Sequence, residues 1–154
     1  MQRNLEQILN IILHNSEILE EDMKQESELK NLTTRQLYCI ELIKDLKNPT
    51  LSELAASMNI AKASISVMIE RLENNKYLYK VLSNSDRRTA HVHLTEKGEK
   101  AALLHTELHQ RISALLTNDM TESEKEILIV LLNKSINSLN NKRNNPNTKI
   151  KSNL

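Results

Sequence analysis

The sequence contains no phenylalanine and no tryptophan, and its 154 residues include one glycine, two prolines and one cysteine. Without Phe or Trp, a core must be assembled from Leu, Ile, Val, Met and Ala, and the apolar share of 39% is enough to build one. Scarce glycine and proline remove the punctuation that a strand-rich fold needs at its turns. A single glycine also argues against the glycine-rich loops that cradle nucleotide phosphates. One cysteine, Cys39, excludes an intrachain disulfide. No apolar run approaches the ~20 residues needed to span a bilayer. The opening Met1-Gln2-Arg3-Asn4-Leu5-Glu6 is followed by no uninterrupted apolar segment of the kind a secretory signal carries. The expectation is a mainly helical, cytoplasmic protein without membrane contact, built as one domain or as one domain plus dimerisation helices.

Net charge is also small, at +1, but it is unevenly distributed. Residues 50–94 hold six Lys/Arg against four acids, and residues 141–154 hold Lys142, Arg143, Lys149 and Lys151 with no acid. The rest of the chain is therefore acidic. A weakly basic middle between acidic helices fits a local anionic partner, not a basic coat.

Periodicity divides the chain into helices and one strand pair. Leu5, Ile8, Leu9, Ile12, Leu19 and Met23 recur at helical spacing over 4–24. Thr33, with Gln36 three residues on, opens a second helix through a capping box, and Leu37, Ile40, Ile43 and Leu46 form its apolar face. Asn48-Pro49 ends it. A short helix covers 51–58, Asn59-Ile60 turns the chain, and a longer helix covers 61–76 with Ile65, Met68, Ile69 and Leu72 inward. The period then changes. Residues 77–82 are aromatic and β-branched, 83–88 are polar, and 90–94 alternate, which predicts two strands around a loop. Thr95 caps a helix over 96–118, and Thr121 with Glu124 caps another over 122–140. Its run Ile127–Leu132 is apolar on every face and needs burial on more than one side. The Asn- and Lys-rich residues 141–154 read as a disordered basic tail.

Helix, short helix, turn, longer helix and hairpin form an order that suits double-stranded DNA. The second helix of such a pair enters the major groove, where base edges differ in donors and acceptors. On the exposed face of 61–72, Lys62 meets phosphate, Ala61 and Ala63 allow close approach, Ser64 and Ser66 offer hydroxyls, Arg71 reaches backbone or a purine edge, and Val67 is left off the buried stripe among the DNA-contacting candidates. Ser52, at the start of the preceding helix, presents a hydroxyl to phosphate. Asp86-Arg87-Arg88 falls at the hairpin tip, where an arginine can enter a minor groove.

With these residues in view, the stretch Leu51-Ser52-Glu53-Leu54-Ala55, Ser64-Ile65-Ser66, Arg71-Leu72-Glu73, Asp86-Arg87-Arg88 and Leu94-Thr95-Glu96-Lys97-Gly98 resembles the MarR family of winged-helix regulators. The resemblance runs through residues 1–140 in element order. It implies a winged helix-turn-helix at 32–95, with a small wing of two or three strands, between dimerisation segments 1–31 and 96–140. It further implies a homodimer whose first and last helices interlock, a recognition helix at 61–74, and a minor-groove wing in which Asp86 orients Arg88. Asn75 departs from the turn former common in the family, though Asn tolerates a left-handed backbone. The implied function is a sequence-specific repressor acting on a pseudo-palindromic operator and modulated by a small ligand.

Signal sensing has several candidates. His105 and His109 are four residues apart and share a helix face with Ala101, Leu108, Ile112 and Leu116, which fits core packing as well as a zinc ligand pair. Glu107, Cys39, Glu26, Glu28 and His14 are the candidates to complete a metal site. Zinc-sensing members of the family carry a similar histidine pair, but with a histidine near the position of Tyr38. The wing and histidine pair look more like the fatty-acid-synthesis repressors (FabT-like), which implies an acyl chain on acyl carrier protein as ligand and a pocket involving Tyr38, Cys39, His105 and His109. Cys39, within an apolar helix, reads as an inert buried thiol rather than a peroxide sensor. His91 and His93 share one strand face that reads as solvated or DNA-facing. No nucleophile–base pair or catalytic carboxylate cluster appears, so an enzyme is not expected. A helical protein-interaction module without DNA contact is the remaining alternative, and the Arg-Arg hairpin tip argues against it.

Overall fold

The structure is a computed structural model that describes residues 3–83 and 89–144, the last three by backbone alone. The Asp86-Arg87-Arg88 tip and most of the basic tail lie outside the described residues. The elements in order are α1 (Leu5–Gln25), α2 (Thr34–Asp45), α3 (Leu51–Met58), α4 (Lys62–Asn74), β1 (Leu78–Leu82), β2 (Ala90–Leu94), α5 (Glu96–Thr117) and α6 (Glu122–Asn144). They fall into two compact units, Met1–Ile112 and Ser113–Leu154.

In the first unit, helix starts are written locally. Asn4 with Gln7, Thr33 with Gln36, and Thr50 with Glu53 each form a reciprocal capping box. α4 differs, because Ala61 precedes it without a side-chain cap. Between α3 and α4 the chain reverses at Asn59, which takes a left-handed φ of 51°. After α4 the left-handed residue is Lys76 (φ 61°), not Asn75, which keeps φ −86°. β1 and β2 pair antiparallel, with Leu78 opposite Leu94 and Leu82 opposite Ala90. A single bridge from Thr50 to His91, with Val92 N donating to Pro49 O at 2.9 Å, adds a short third segment and ties the start of α3 to the wing.

The core lies where α2, α3 and α4 meet β2 and the first turns of α5. Leu37, Ile40, Ile43, Leu54, Ile65, Ile69, Leu72 and Val92 are all fully or almost fully buried. Of the N-terminal segment, the connection after α1 joins this unit's core, through Leu29 and Leu32. The stripe Leu5, Leu9 and Leu13 on α1 stays exposed.

α5 begins against the end of α4. Thr95 Oγ1 donates to Lys76 O at 2.6 Å and accepts from Gly98 N at 3.2 Å. Thr95 N donates to Tyr77 O at 3.0 Å. Lys97 Nζ donates to Asn75 O at 2.9 Å and sits 4.1 Å above the Tyr77 ring. Gly98 makes this approach possible, because a Cβ there would stand 2.0 Å from Tyr77 O.

In the second unit, Thr121 and Glu124 form the expected capping box of α6. α6 runs to Asn144, four residues past the sequence expectation of 140. Its Ile127, Ile129, Val130, Leu131 and Leu132 are all exposed.

Candidate nucleic-acid interface

α4 presents two contrasting faces. Ile65, Ile69 and Leu72 hold it to the core, and its other positions reach solvent. Lys62, Ala63, Ser64, Ser66, Val67 and Arg71 are all exposed, so the structure brings the six α4 residues expected from sequence onto one accessible helix. Ser66 is partly committed, since its hydroxyl donates to Lys62 O at 2.9 Å. Its oxygen remains able to accept. Ser52 is exposed in the first turn of α3.

The capping residue of α3 is Thr50, one step before Ser52. Thr50 N donates to Glu53 Oε2 at 2.7 Å and Thr50 Oγ1 does so at 2.8 Å. The backbone N–H and then the hydroxyl of Thr50 hold the Glu53 carboxyl below its ordinary value, and nearby His91 adds to the effect. The Thr-x-x-Glu spacing that marks this cap was present in the sequence and was overlooked there.

β1 and β2 carry the wing. Beyond buried Leu78, every residue of β1 is exposed, and the segment between β1 and β2 holds Asp86, Arg87 and Arg88. Their placement lies outside the described residues. His91 and His93 have specific neighbours: His91 Nδ1 lies 3.0 Å from Asn48 O, and the His93 ring stacks on Tyr79 with centroids 5.3 Å apart.

The second candidate site is built around His105. It is the one buried histidine among the described residues. His109 Nε2 lies 3.1 Å from His105 Nε2, and Glu20 Oε1 of α1 lies 3.8 Å from the same His105 nitrogen. On the other side, Glu41 Oε1 of α2 is 3.0 Å from His105 Nδ1. That contact is close but poorly aligned, so His105 Nδ1 has a carboxylate neighbour and no formed hydrogen bond. Thr34 Oγ1 donates to Glu20 Oε1 at 3.0 Å. Glu20, His105 and His109 can present three ligand atoms within 4.8 Å of one another. Glu20 and Glu41 were not foreseen from sequence, because only the packing of α1 and α2 on α5 reveals them. Of the residues expected to complete the site, Glu28 instead pairs with Lys100 at 2.8 Å.

Tyr38 and Cys39, expected to share a pocket with these histidines, differ in exposure. Tyr38 is 46% exposed, whereas Cys39 is fully buried. Burial pushes the Cys39 thiol up to about 12. An open cleft of about 510 Å³ lies elsewhere in the first unit, lined by Met23, Glu26, Ser27, Glu28, Lys100, Leu104 and Arg111. None of the described helices is long and apolar enough to cross a membrane.

Comparison with known proteins agrees with this architecture. A sequence profile described as MarR family matches residues 32–90. An uncharacterized HTH-type transcriptional regulator of Bacillus cereus is 31% identical over 107 residues, covering 68% of this chain and 69% of that protein. The HTH-type transcriptional repressor MdtR of Bacillus subtilis is 25% identical over 81 residues, 53% of this chain and 52% of its own length. Among solved structures, Streptococcus pneumoniae FabT in complex with DNA superimposes with a TM-score of 0.82 at 24% identity, covering 89% of this chain and 96% of that one. The reduced form of MarR from E. coli gives 0.70 at 20% identity, covering 88% and 98%. These two structures share the fold.

Proposed function

Because this chain belongs to the MarR family of winged-helix transcriptional regulators, we propose that it is a homodimeric repressor that lays α4 in the major groove of a pseudo-palindromic operator. The observation that carries this reading is the outward face of α4. It is exposed along its length, small at Ala63 and Ser64, and edged by Lys62 and Arg71. Small groups allow approach to the groove floor, while cations beside them meet phosphates. Ser52 at the start of α3 supplies a further phosphate contact. From the family resemblance, we assign Arg87 and Arg88, in the loop between β1 and β2, to contact with the neighbouring minor groove, and Asp86 to orienting Arg88.

The dimer is inferred from the aliphatic surfaces of α1 and α6. Leu5, Leu9 and Leu13 on the first, and the run Ile127–Leu132 on the second, form apolar surfaces that a monomer leaves in water. A second copy of the chain is the simplest cover, and its twofold axis sets half-sites about 10 bp apart. A repressor role is in keeping with MdtR, and DNA contact with FabT, the relatives named above.

The test is duplex binding by the purified full chain at two salt concentrations. Affinity should fall steeply with salt, as phosphate contacts require. Arg88→Ala should cost ~1–3 kcal/mol per half-site and leave the dimer intact. Unchanged affinity in that variant would reject the wing assignment.

A second reading concerns the signal. Glu20, His105 and His109 form a donor set suited to a divalent ion such as zinc, with a fourth position left for water. The 3.1 Å spacing of the two histidine nitrogens fits ligands about 2.0–2.1 Å from one metal. Zinc added to metal-free protein should bind with a stoichiometry that His109→Ala abolishes; equal uptake by both proteins would exclude these ligands. An acyl ligand or acyl carrier would instead use the cleft beside Leu104, whose lining combines Met23 and Leu104 with the cations Lys100 and Arg111 and the acids Glu26 and Glu28.

A further inference from the structure

α4 carries a valine that folding does not explain. Val67 is 50% exposed and takes no part in the hydrophobic core. β-branched residues are poorer helix formers than alanine, so an exposed valine in mid-helix is unfavourable on both propensity and solvation. Its position is informative. Ala63, Val67, Glu70 and Asn74 follow one another at spacings of four, three and four, on the side of the helix opposite Ile65, Ile69 and Leu72. This ridge is the part of α4 that reaches deepest into whatever the helix faces.

The chemistry of the ridge is uneven. Its N-terminal half offers methyl groups only, from Ala63 and Val67. The next residue, Glu70, accepts hydrogen bonds and donates none. The donor pair that reads guanine O6 and N7, an arginine or lysine pointing at the groove floor, is absent from the ridge. Lys62 and Arg71 stand to its sides, where phosphates would lie, and the Ser66 hydroxyl proton is spent on Lys62 O.

Resting on the placement of α4 in a major groove proposed above, we infer that Val67, with Ala63 one turn before it, is the specificity-determining surface and reads the C5-methyl group of thymine. The apolar patch is flanked on both sides by polar or cationic side chains, which matches a thymine methyl bounded by phosphates better than it matches an apolar protein partner. Each operator half-site therefore holds an A·T pair opposite this ridge, oriented with its thymine methyl against Val67.

The experiment first selects preferred duplexes from a randomised pool with the full chain. Each thymine of the selected site is then replaced by deoxyuridine, which removes only the methyl group, and affinity is read by fluorescence anisotropy. At least one thymine in each half-site should be sensitive. Its demethylation should weaken binding about four-fold, the equivalent of one buried methylene-sized group, and about 15-fold when both half-sites are changed. Val67→Ala, checked for helicity by circular dichroism, should still bind but lose most of that sensitivity. Absence of any sensitive thymine, or full sensitivity retained by Val67→Ala, would overturn the assignment while leaving DNA binding standing. Failure to enrich any duplex would remove the DNA-binding reading itself, and the thymine contact with it.

Discussion

Replacing Gly98 with alanine adds one methyl group at the point where α5 leaves β2 and passes over the end of α4. On an ordinary exposed helix that change stabilises by up to ~1 kcal/mol, because glycine is the poorer helix former. Here the new Cβ would stand 2.0 Å from Tyr77 O, 3.1 Å from Tyr77 C and 3.2 Å from Leu94 Cδ2. The nearest of these is backbone, so no side chain can swing away. Relief requires α5 to retreat by roughly 1 Å, since contacts below about 3.0 Å are not sustained. That movement stretches the Thr95 Oγ1–Lys76 O bond at 2.6 Å and the Lys97 Nζ–Asn75 O bond at 2.9 Å. Overpacking costs ~1–3 kcal/mol, and each weakened hydrogen bond up to ~1 kcal/mol. After the propensity gain is subtracted, a net destabilisation of about 2–3 kcal/mol is expected, or a fall in Tm of roughly 4–12 °C for a chain of this size. Urea denaturation followed by circular dichroism measures the first, and a thermal scan the second. Because the same contacts fix the end of α4, duplex affinity should fall as well. A Gly98→Ala protein as stable as the parent, or more so, would refute the close-approach argument and leave helix propensity as the only effect.

Three further perturbations test other parts of the structure. Glu53 has a carboxyl held below its ordinary value of 4.5 by the N–H and hydroxyl of Thr50, so its contribution is complete above that value and is lost as pH falls through the lowered folded value. Glu53→Gln should therefore be less stable than the parent at pH 7, and the difference should narrow as pH falls below 4.5; a gap in Tm that stays constant with pH would contradict this. Cys39, buried with its thiol at about 12, should react with a disulfide reagent only after denaturation, and rapid labelling of the native protein at neutral pH would refute its burial. Ile129 is exposed on α6, so Ile129→Glu should leave helicity unchanged. If α6 is part of the dimer seam, a buried unpaired carboxylate costs several kcal/mol and the dimer dissociation constant rises at least about 100-fold. An unaltered sedimentation profile would take α6 out of the interface.

Much of the architecture was legible before any tertiary information. The boxes at Thr33–Gln36 and Thr121–Glu124 form as expected, and the strand pair expected at 77–82 and 90–94 falls at 78–82 and 90–94, because each signal and the bond it forms lie close together in sequence. Where neighbouring residues compete for a role, that advantage disappears. The left-handed backbone after α4 falls on Lys76 and not on Asn75, whose side-chain amide instead donates to Arg71 O at 2.8 Å. The apolar stripe of α1 shows the other limit: periodicity marks which face is apolar, not what covers it.

The sequence by itself determined the order of the helices, the wing, the buried stripe of α4 and hence the outward ridge with Val67. All of these follow from hydrogen bonds and periodicities that span a few residues. Tertiary structure alone decided that Glu20 and Glu41 come close to His105, that Cys39 is fully buried, and that Gly98 has no room for a methyl group. Those are meetings between distant segments. A residue's own neighbourhood in the chain carries no record of which surface will be pressed against it once the helices pack.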